Sequence, residues 1–322
     1  MENENMSDVI LIGEPMGMFI ANDYGELEEG KSFSKGIAGA EVNVGTGLAR
    51  LGYDVNFLTK LGKDPFGQYI YKYLKQENIG TDHITFDDDC NTGIMLKNKT
   101  KEGDPVIAYY RKGSAFSNFS IEDVMDIDFT DVKLLHVTGI PPAVNRITRG
   151  AVYHLMAKAR EAGTLITFDP NLRPELWKDE ETMVKVLNNM ARYANVVLPG
   201  IAEGKILTGS DDKNVIAQFY LDMGVEYVVI KTGSDGAFIK KQGEELKNVP
   251  GFKVKKVVDT VGAGDGFAVG IISGYLDGLD MENSAVRANA IGSLQVQNQG
   301  DNEGLPTREE LKSYIEANRP QN

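Results

Sequence analysis

Leu165-Ile166-Thr167-Phe168 is a short apolar run closed by Asp169-Pro170. It is too short for a helix and shows no polar alternation, so neither face suits water. Such a run reads as a strand of a parallel sheet that is covered on both sides. The same reading extends outward. Val9-Ile10-Leu11-Ile12 ends at Gly13, and Leu134-Leu135-His136-Val137 ends at Thr138-Gly139. Val196-Val197-Leu198 ends at Pro199-Gly200, and Tyr227-Val228-Val229-Ile230 ends at Lys231-Thr232-Gly233. Amphipathic stretches at 144–162, 181–193 and 214–223 lie between them. Strand and helix in alternation predict a doubly wound α/β sheet with helices on both faces.

Two stretches break the rhythm. Residues 15–36 and 92–116 hold short strand-like pieces with glycines and charges, and neither contains a good helical pattern. They read as antiparallel strands outside the core sheet, forming a small lid. Phe19, Phe33, Ile107 and Tyr109 are the candidates for its apolar face. Projecting strands leave unpaired edges, so pairing of two lids into a homodimer is an expectation. Thr307-Arg308-Glu309-Glu310 is a capping box opening a last helix with Leu311 and Ile315 on one face. No linker, composition shift or repeat divides residues 1–322, which read as one domain.

Composition narrows the function. Hydrophobic residues are 42% and charged residues 25% of 322, ordinary for a globular protein. Lys and Arg number 34 against 47 acids, a formal net charge of −13. That balance disfavours a phosphate backbone as partner, so no nucleic acid is expected. The polar, acidic start Met1–Met6 lacks the features of a signal peptide, and no apolar run reaches the length of a membrane span. A cytoplasmic protein without a membrane partner is the expectation. One cysteine, Cys90, and three scattered histidines argue against a disulfide framework or a zinc site.

One motif match is rejected. Gly25-Glu26-Leu27-Glu28-Glu29-Gly30-Lys31-Ser32 fits the P-loop pattern letter for letter. A P-loop must follow a buried strand and open a helix. Here polar residues precede it, no helical period follows, and three glutamates would face the phosphates. A polar turn between strands fits better.

Asp259-Thr260-Val261-Gly262-Ala263-Gly264-Asp265-Gly266-Phe267 carries the chemistry. Its small-residue loop runs into a helical period through Phe267, Ile271 and Tyr275. Open backbone N–H groups at a helix N-terminus, with the helix dipole, make an anion site. A carboxylate there, Asp265, repels a simple anion. It suits a base that takes a hydroxyl proton while the amides hold a transferring phosphoryl group. Spacing alone leaves an Asp cap with packing glycines equally open.

This segment resembles the C-terminal signature of the PfkB, or ribokinase-like, sugar kinases. Gly36-Ile37-Ala38-Gly39-Ala40-Glu41-Val42-Asn43-Val44-Gly45 resembles their N-terminal signature. The resemblance covers essentially the whole chain. It implies a three-layer αβα sandwich with a small β-sheet lid, and transfer of phosphate from ATP to a sugar. It implies Asp265 as catalytic base, Gly262, Ala263 and Gly264 as anion hole, and Gly39 and Asn43 in the sugar pocket. Lys231, Gly233 and Gly236, after a buried strand, resemble the ATP-contacting strand end, and Asn289 the adenine wall. Asp259 and Val261 correspond to a loop that binds a monovalent cation, such as K⁺, in some members. The family's Asn-x-x-Glu, which organises Mg²⁺, reads Gly200-Ile201-Ala202-Glu203 here, keeping only the Glu.

The acceptor is suggested by Tyr109-Tyr110-Arg111-Lys112 in the lid and Asp169-Pro170-Asn171-Leu172-Arg173 after a core strand. Arginine forks match carboxylates, so Arg111 and Arg173 brought together would suit a sugar acid. With Gly13-Glu14-Pro15-Met16, this resembles the members that act on 2-keto-3-deoxygluconate. That implies Tyr109, Arg111 and Arg173 on the acid, and Asn171 and Arg173 near the ATP phosphates. The segment 169–177 also resembles fructokinases. Arg111 pairing with one of the chain's own acids is the competing reading.

Overall fold

The computed structural model describes residues 7–100 and 105–318; residues 101–104 of the second lid stretch lie outside them. The chain begins β1 (Val9–Ile12), β2 (Met16–Tyr24), β3 (Phe33–Ala38), α1 (Ala40–Arg50), β4 (Val55–Gly62), α2 (Pro65–Gln76) and β5 (Ile84–Asp87). It continues with β6 (Ile94–Lys99), β7 (Ile107–Tyr110), β8 (Leu134–Thr138), α3 (Pro141–Val144), α4 (Arg146–Ala162), β9 (Leu165–Asp169) and α5 (Glu180–Ala191). Then follow β10 (Val196–Val197), α6 (Ile201–Thr208), α7 (Lys213–Leu221), β11 (Tyr227–Lys231), β12 (Gly236–Lys241) and β13 (Lys247–Pro250). Helices α8 (Ala263–Leu276), α9 (Met281–Gln295) and α10 (Arg308–Asn318) close the chain.

The core is a nine-stranded sheet in the order β13-β12-β11-β10-β9-β8-β1-β4-β5. All neighbours from β11 to β5 run parallel, while β12 and β13 add an antiparallel edge. Strand β1 shows why the apolar runs are continuous. Val9 and Leu11 join the core under α1, α2, α8 and α9, whereas Ile10 and Ile12 join the core under α4, α5 and α7. Successive side chains point to opposite faces, and both faces are covered. The result is three layers, helix on sheet on helix. Among the described residues, no helix is long and apolar enough to cross a membrane.

A four-stranded sheet, β3-β2-β6-β7, stands apart from the core. Its strands fall inside 15–36 and 92–116 but for the last two residues of β3, and residues 25–32 are the turn joining β2 to β3. Two expectations are corrected here. The outer pairs are antiparallel, but the central pair β2 and β6 is parallel, because the chain re-enters the lid in its original direction. The four apolar candidates also do not share a face. Ile107 and Tyr109 pack on Met16, Met18 and Met95. Phe19 instead meets Phe66 of α2 edge-on at 5.3 Å, and Phe33 lies on Phe19's side, opposite Ala21. The two-residue period of a strand separates them.

Two details serve the site. Helices α8 and α9 cross closely, since a Cβ on Gly270 would lie 2.2 Å from Ala288 Cα. The capping box of α10 forms as expected, with the Thr307 amide donating to Glu310 Oε2 at 2.8 Å.

Candidate active site

Gly262 caps α8 with φ +76°, and a Cβ there would sit 2.0 Å from the Asp301 carbonyl oxygen. Only glycine meets both demands. The turn leaves the first amides of α8 without helical acceptors. Asp265 lies in that first turn, and Asn43 of α1 donates to its Oδ2 at 2.8 Å. The two signatures thus meet through one hydrogen bond. Burial pushes Asp265 up to about 6, against the pull of Asn43, Arg173 and Lys231.

Two cavities meet at this turn. The first, about 560 Å³, lies between the lid and the C-terminal ends of the core strands, where open α/β sheets bind ligands. Gly39, Asn43, Tyr109, Arg111 and Arg173 all line it. Asn171, Glu203, Val261, Gly262 and Asp265 line it as well. The second, about 400 Å³, is largely apolar and carries Gly233, Gly236, Ala263 and Asn289. Lys231, Thr260 and Gly264 belong to both. Asn171, expected near the nucleotide, faces the first cavity only, and its backbone has φ +38°. Asn289 spends its amide on strand β13, donating to Val249 O at 3.1 Å and Pro250 O at 3.2 Å.

Comparison with known proteins agrees with this arrangement. A family profile described as pfkB family carbohydrate kinase matches residues 6–308. The chain belongs to the pfkB family of carbohydrate kinases. It is 49% identical over 313 residues to the 2-dehydro-3-deoxygluconokinase of Bacillus subtilis, covering 97% of this chain and 96% of that one. The crystal structure of a PfkB protein from Polaromonas superposes with a TM-score of 0.87 at 41% identity, covering 95% of this chain and 99% of that one. An uncharacterized sugar kinase of Pyrococcus horikoshii, solved with ATP, gives a TM-score of 0.80 at 30% identity, covering 96% and 98%.

In this pfkB kinase the charges are paired in ways the sequence did not reveal. Lys231 Nζ lies 2.6 Å from Asp169 Oδ2 and 3.9 Å from Glu203 Oε2, beside the open face of Gly264. Glu203 accepts from the Gly200 amide at 2.7 Å and the Leu172 amide at 2.9 Å. Its carboxylate therefore starts α6 and orders the loop after β9, even with Gly200 in place of the family Asn. Arg111 does find an internal acid. Its Nε donates to Glu14 Oε2 at 2.7 Å, its Nη2 approaches the same oxygen, and Ser114 Oγ donates to Glu14 Oε1 at 2.6 Å. Glu14 and Arg111 are both buried. Glu41, buried beneath the cavity, accepts from Thr138 Oγ1, and burial pushes it up to about 7. Among the described residues, no three His, Cys, Asp or Glu side chains form a metal cage.

The expected cation loop is engaged within the protein at Asp259. Asp259 Oδ1 accepts from the Val261 amide at 3.0 Å, and Oδ2 accepts from Lys97 Nζ at 3.3 Å and the Gly300 amide at 3.4 Å. Sequence reasoning missed Lys97, Asp169, Glu41 and the pairing role of Glu14. Asp169 and Glu14 carried a usable signal, since Asp169 directly follows an apolar strand run and Glu14 stands one residue beyond another.

The raised Asp265 ionisation has a consequence for stability. Between its unfolded value near 4 and its folded value of about 6, the folded state binds more protons, so stability falls as pH rises through that window. Asp265→Asn keeps size and an acceptor for Asn43 but cannot ionise. The variant should be about 1–3 kcal/mol more stable than wild type at pH 8, with the gap closing near pH 4. Denaturant unfolding at the two pH values measures this. Equal stability at pH 8 would contradict the burial argument.

Proposed function

We propose that this protein transfers the γ-phosphoryl group of ATP to a hydroxyl of 2-keto-3-deoxygluconate. The observation that carries the reading is Asp265, a carboxylate with raised proton affinity that lines the first cavity beside Gly264, a residue of both. The sugar would occupy the first cavity against Gly39 and Asn43, with ATP in the second against Gly233, Gly236 and Asn289. Asp265 accepts the hydroxyl proton as that oxygen bonds to the γ-phosphorus and the bond to the ADP oxygen breaks. The amides of Gly262, Ala263 and Gly264 hold the transferring group at the start of α8. Lys231 reaches both cavities and supplies positive charge at the junction.

Magnesium carried on the phosphates would neutralise their charge. The residues fit a water-held ion better than a direct one, because Glu203 is already bonded to two amides. Glu203 and Asp169 would hold its waters in place.

The acid-binding part rests on Tyr109, Arg111 and Arg173, which line one cavity. Glu14 takes the Nε side of Arg111, and a guanidinium has five donors, so others remain for a substrate carboxylate. The same pairing favours a second reading, a neutral hexose such as fructose, since it balances the charge of Arg111.

Three outcomes test these proposals. Asp265→Asn should lower turnover roughly 10²–10⁴-fold while calorimetry still detects ATP binding. Turnover within a few-fold of wild type would make Asp265 a helix cap only. Arg111→Ala should raise KM for 2-keto-3-deoxygluconate tens to hundreds-fold, the worth of a charge-assisted contact, and change that for fructose little. Equal effects on both would favour the neutral sugar. Lid edges β3 and β7, with Tyr110 65% exposed, are proposed to pair with a second copy. Sedimentation at micromolar concentration should give a dimer, and a monodisperse monomer would overturn the pairing.

A further inference from the structure

Lys97 is a lid residue on β6, yet it is only 5% exposed. It shares a face with Met95 and, across the strands, with Ile20 and Ile107, the face turned to the cavity. Its ammonium reaches across to two carboxylates of the core, Asp259 Oδ2 at 3.3 Å and Asp301 Oδ1 at 3.5 Å. Both acids belong to the support of the α8 turn. Asp259 opens the loop that ends in Gly262, and the Asp301 carbonyl is the atom against which Gly262 packs. Next to Asp301, Asn302 donates to Asn43 Oδ1 at 3.4 Å, on the residue that holds Asp265.

A monovalent ion bound through the Asp259 carboxylate does not fit these contacts. Oδ1 accepts from the Val261 amide, and Oδ2, with Lys97 and the Gly300 amide on it, has both lone pairs in use. An added cation would have to displace an ammonium that is already buried there. Removing that ammonium, in turn, would leave two largely buried carboxylates without their shared counter-ion, an unfavourable arrangement.

We propose that Lys97 is this kinase's own monovalent cation: its ammonium, delivered by the lid, bridges Asp259 and Asp301, offsets their repulsion and holds the anion-hole loop in shape without potassium. The proposal rests on the phosphoryl-transfer reading only for its kinetic readout. It makes the lid part of the support of the phosphate site, since the charge arrives from a lid strand.

The test compares buffers whose only added salt is the chloride of potassium, sodium or tetramethylammonium, the last too bulky for a small site. Wild type should show the same kcat, the same KM for ATP and the same melting temperature in all three, within about twofold for the kinetic constants. Lys97→Met, which keeps the length of the side chain, should lose about tenfold or more in tetramethylammonium and recover part of it in potassium. Its melting temperature should rise with potassium, where that of wild type does not. Activation or stabilisation of wild type by potassium would overturn the proposal, whatever the variant does. So would a folded variant equal to wild type in tetramethylammonium, or one that potassium neither restores nor stabilises. A wild type inactive on every acceptor in every salt would defeat the kinase reading, while the melting temperatures would still decide the role of Lys97.

Discussion

The hydrogen bond from Asn43 to Asp265 joins the two ends of this molecule at its working point. Asn43 sits in the first turn of α1 and Asp265 in the first turn of α8, and their 2.8 Å contact holds a carboxylate at a helix N-terminus. Everything nearby accommodates it. Gly262 can take its turn because it has no side chain, Gly270 lets α9 press against α8, and Asn302 fixes the far side of Asn43. Burial at this spot raises the proton affinity of Asp265 even against the pull of Asn43, which suits a base more than a cap.

The rest of the cavity is a balance of buried charges. Lys231 faces Asp169 and Glu203, Arg111 faces Glu14, and Lys97 faces Asp259 and Asp301. Each cation is neutralised within the protein before any substrate arrives. Such pairs cost desolvation and add little stability by themselves. What they provide is orientation. A long cationic side chain held by a carboxylate is already in place for a ligand, and ordering it on binding costs less.

Much of this was legible in the sequence because it rests on local pattern. Runs such as Val9–Ile12 and Leu165–Phe168 are apolar on both faces, so their parallel, buried character follows from period alone. The glycines before Asp265 mark a turn into a helix whatever surrounds them. Elsewhere local pattern is silent. Strand β4 escapes the reading because Asn56, Thr59 and Lys60 interrupt its apolar residues. In Leu96-Lys97-Asn98-Lys99 the lysines read as a solvated strand face, and only the fold of the lid over the loop at 259–262 buries one of them. The split of Phe19 and Phe33 from Ile107 and Tyr109 depends on register between strands far apart in the chain. The partner of Arg111 could be any of 47 acids until topology brings the end of β1 beside the end of β7.

The junction around Glu14 has a mechanical meaning. The chain passes between core and lid at residues 13–15, at 39, near 93 and at 111–114, and three of these passages are tied together there. Glu14 holds Arg111 and Ser114, and Gly93 lies so close that a Cβ would be 2.7 Å from Glu14 Oε1. A plate fixed along one edge can turn only about that edge, so any rotation of this lid has its axle at Glu14. Arg111 lies on the axle and keeps its place at every angle. Lys97, level with Ile107, sits four residues out along β7, on the order of 13 Å from the axle at the rise of a strand. Arg111 and Lys97 therefore stand at opposite ends of one lever, and in any such rotation only the Lys97 end would travel.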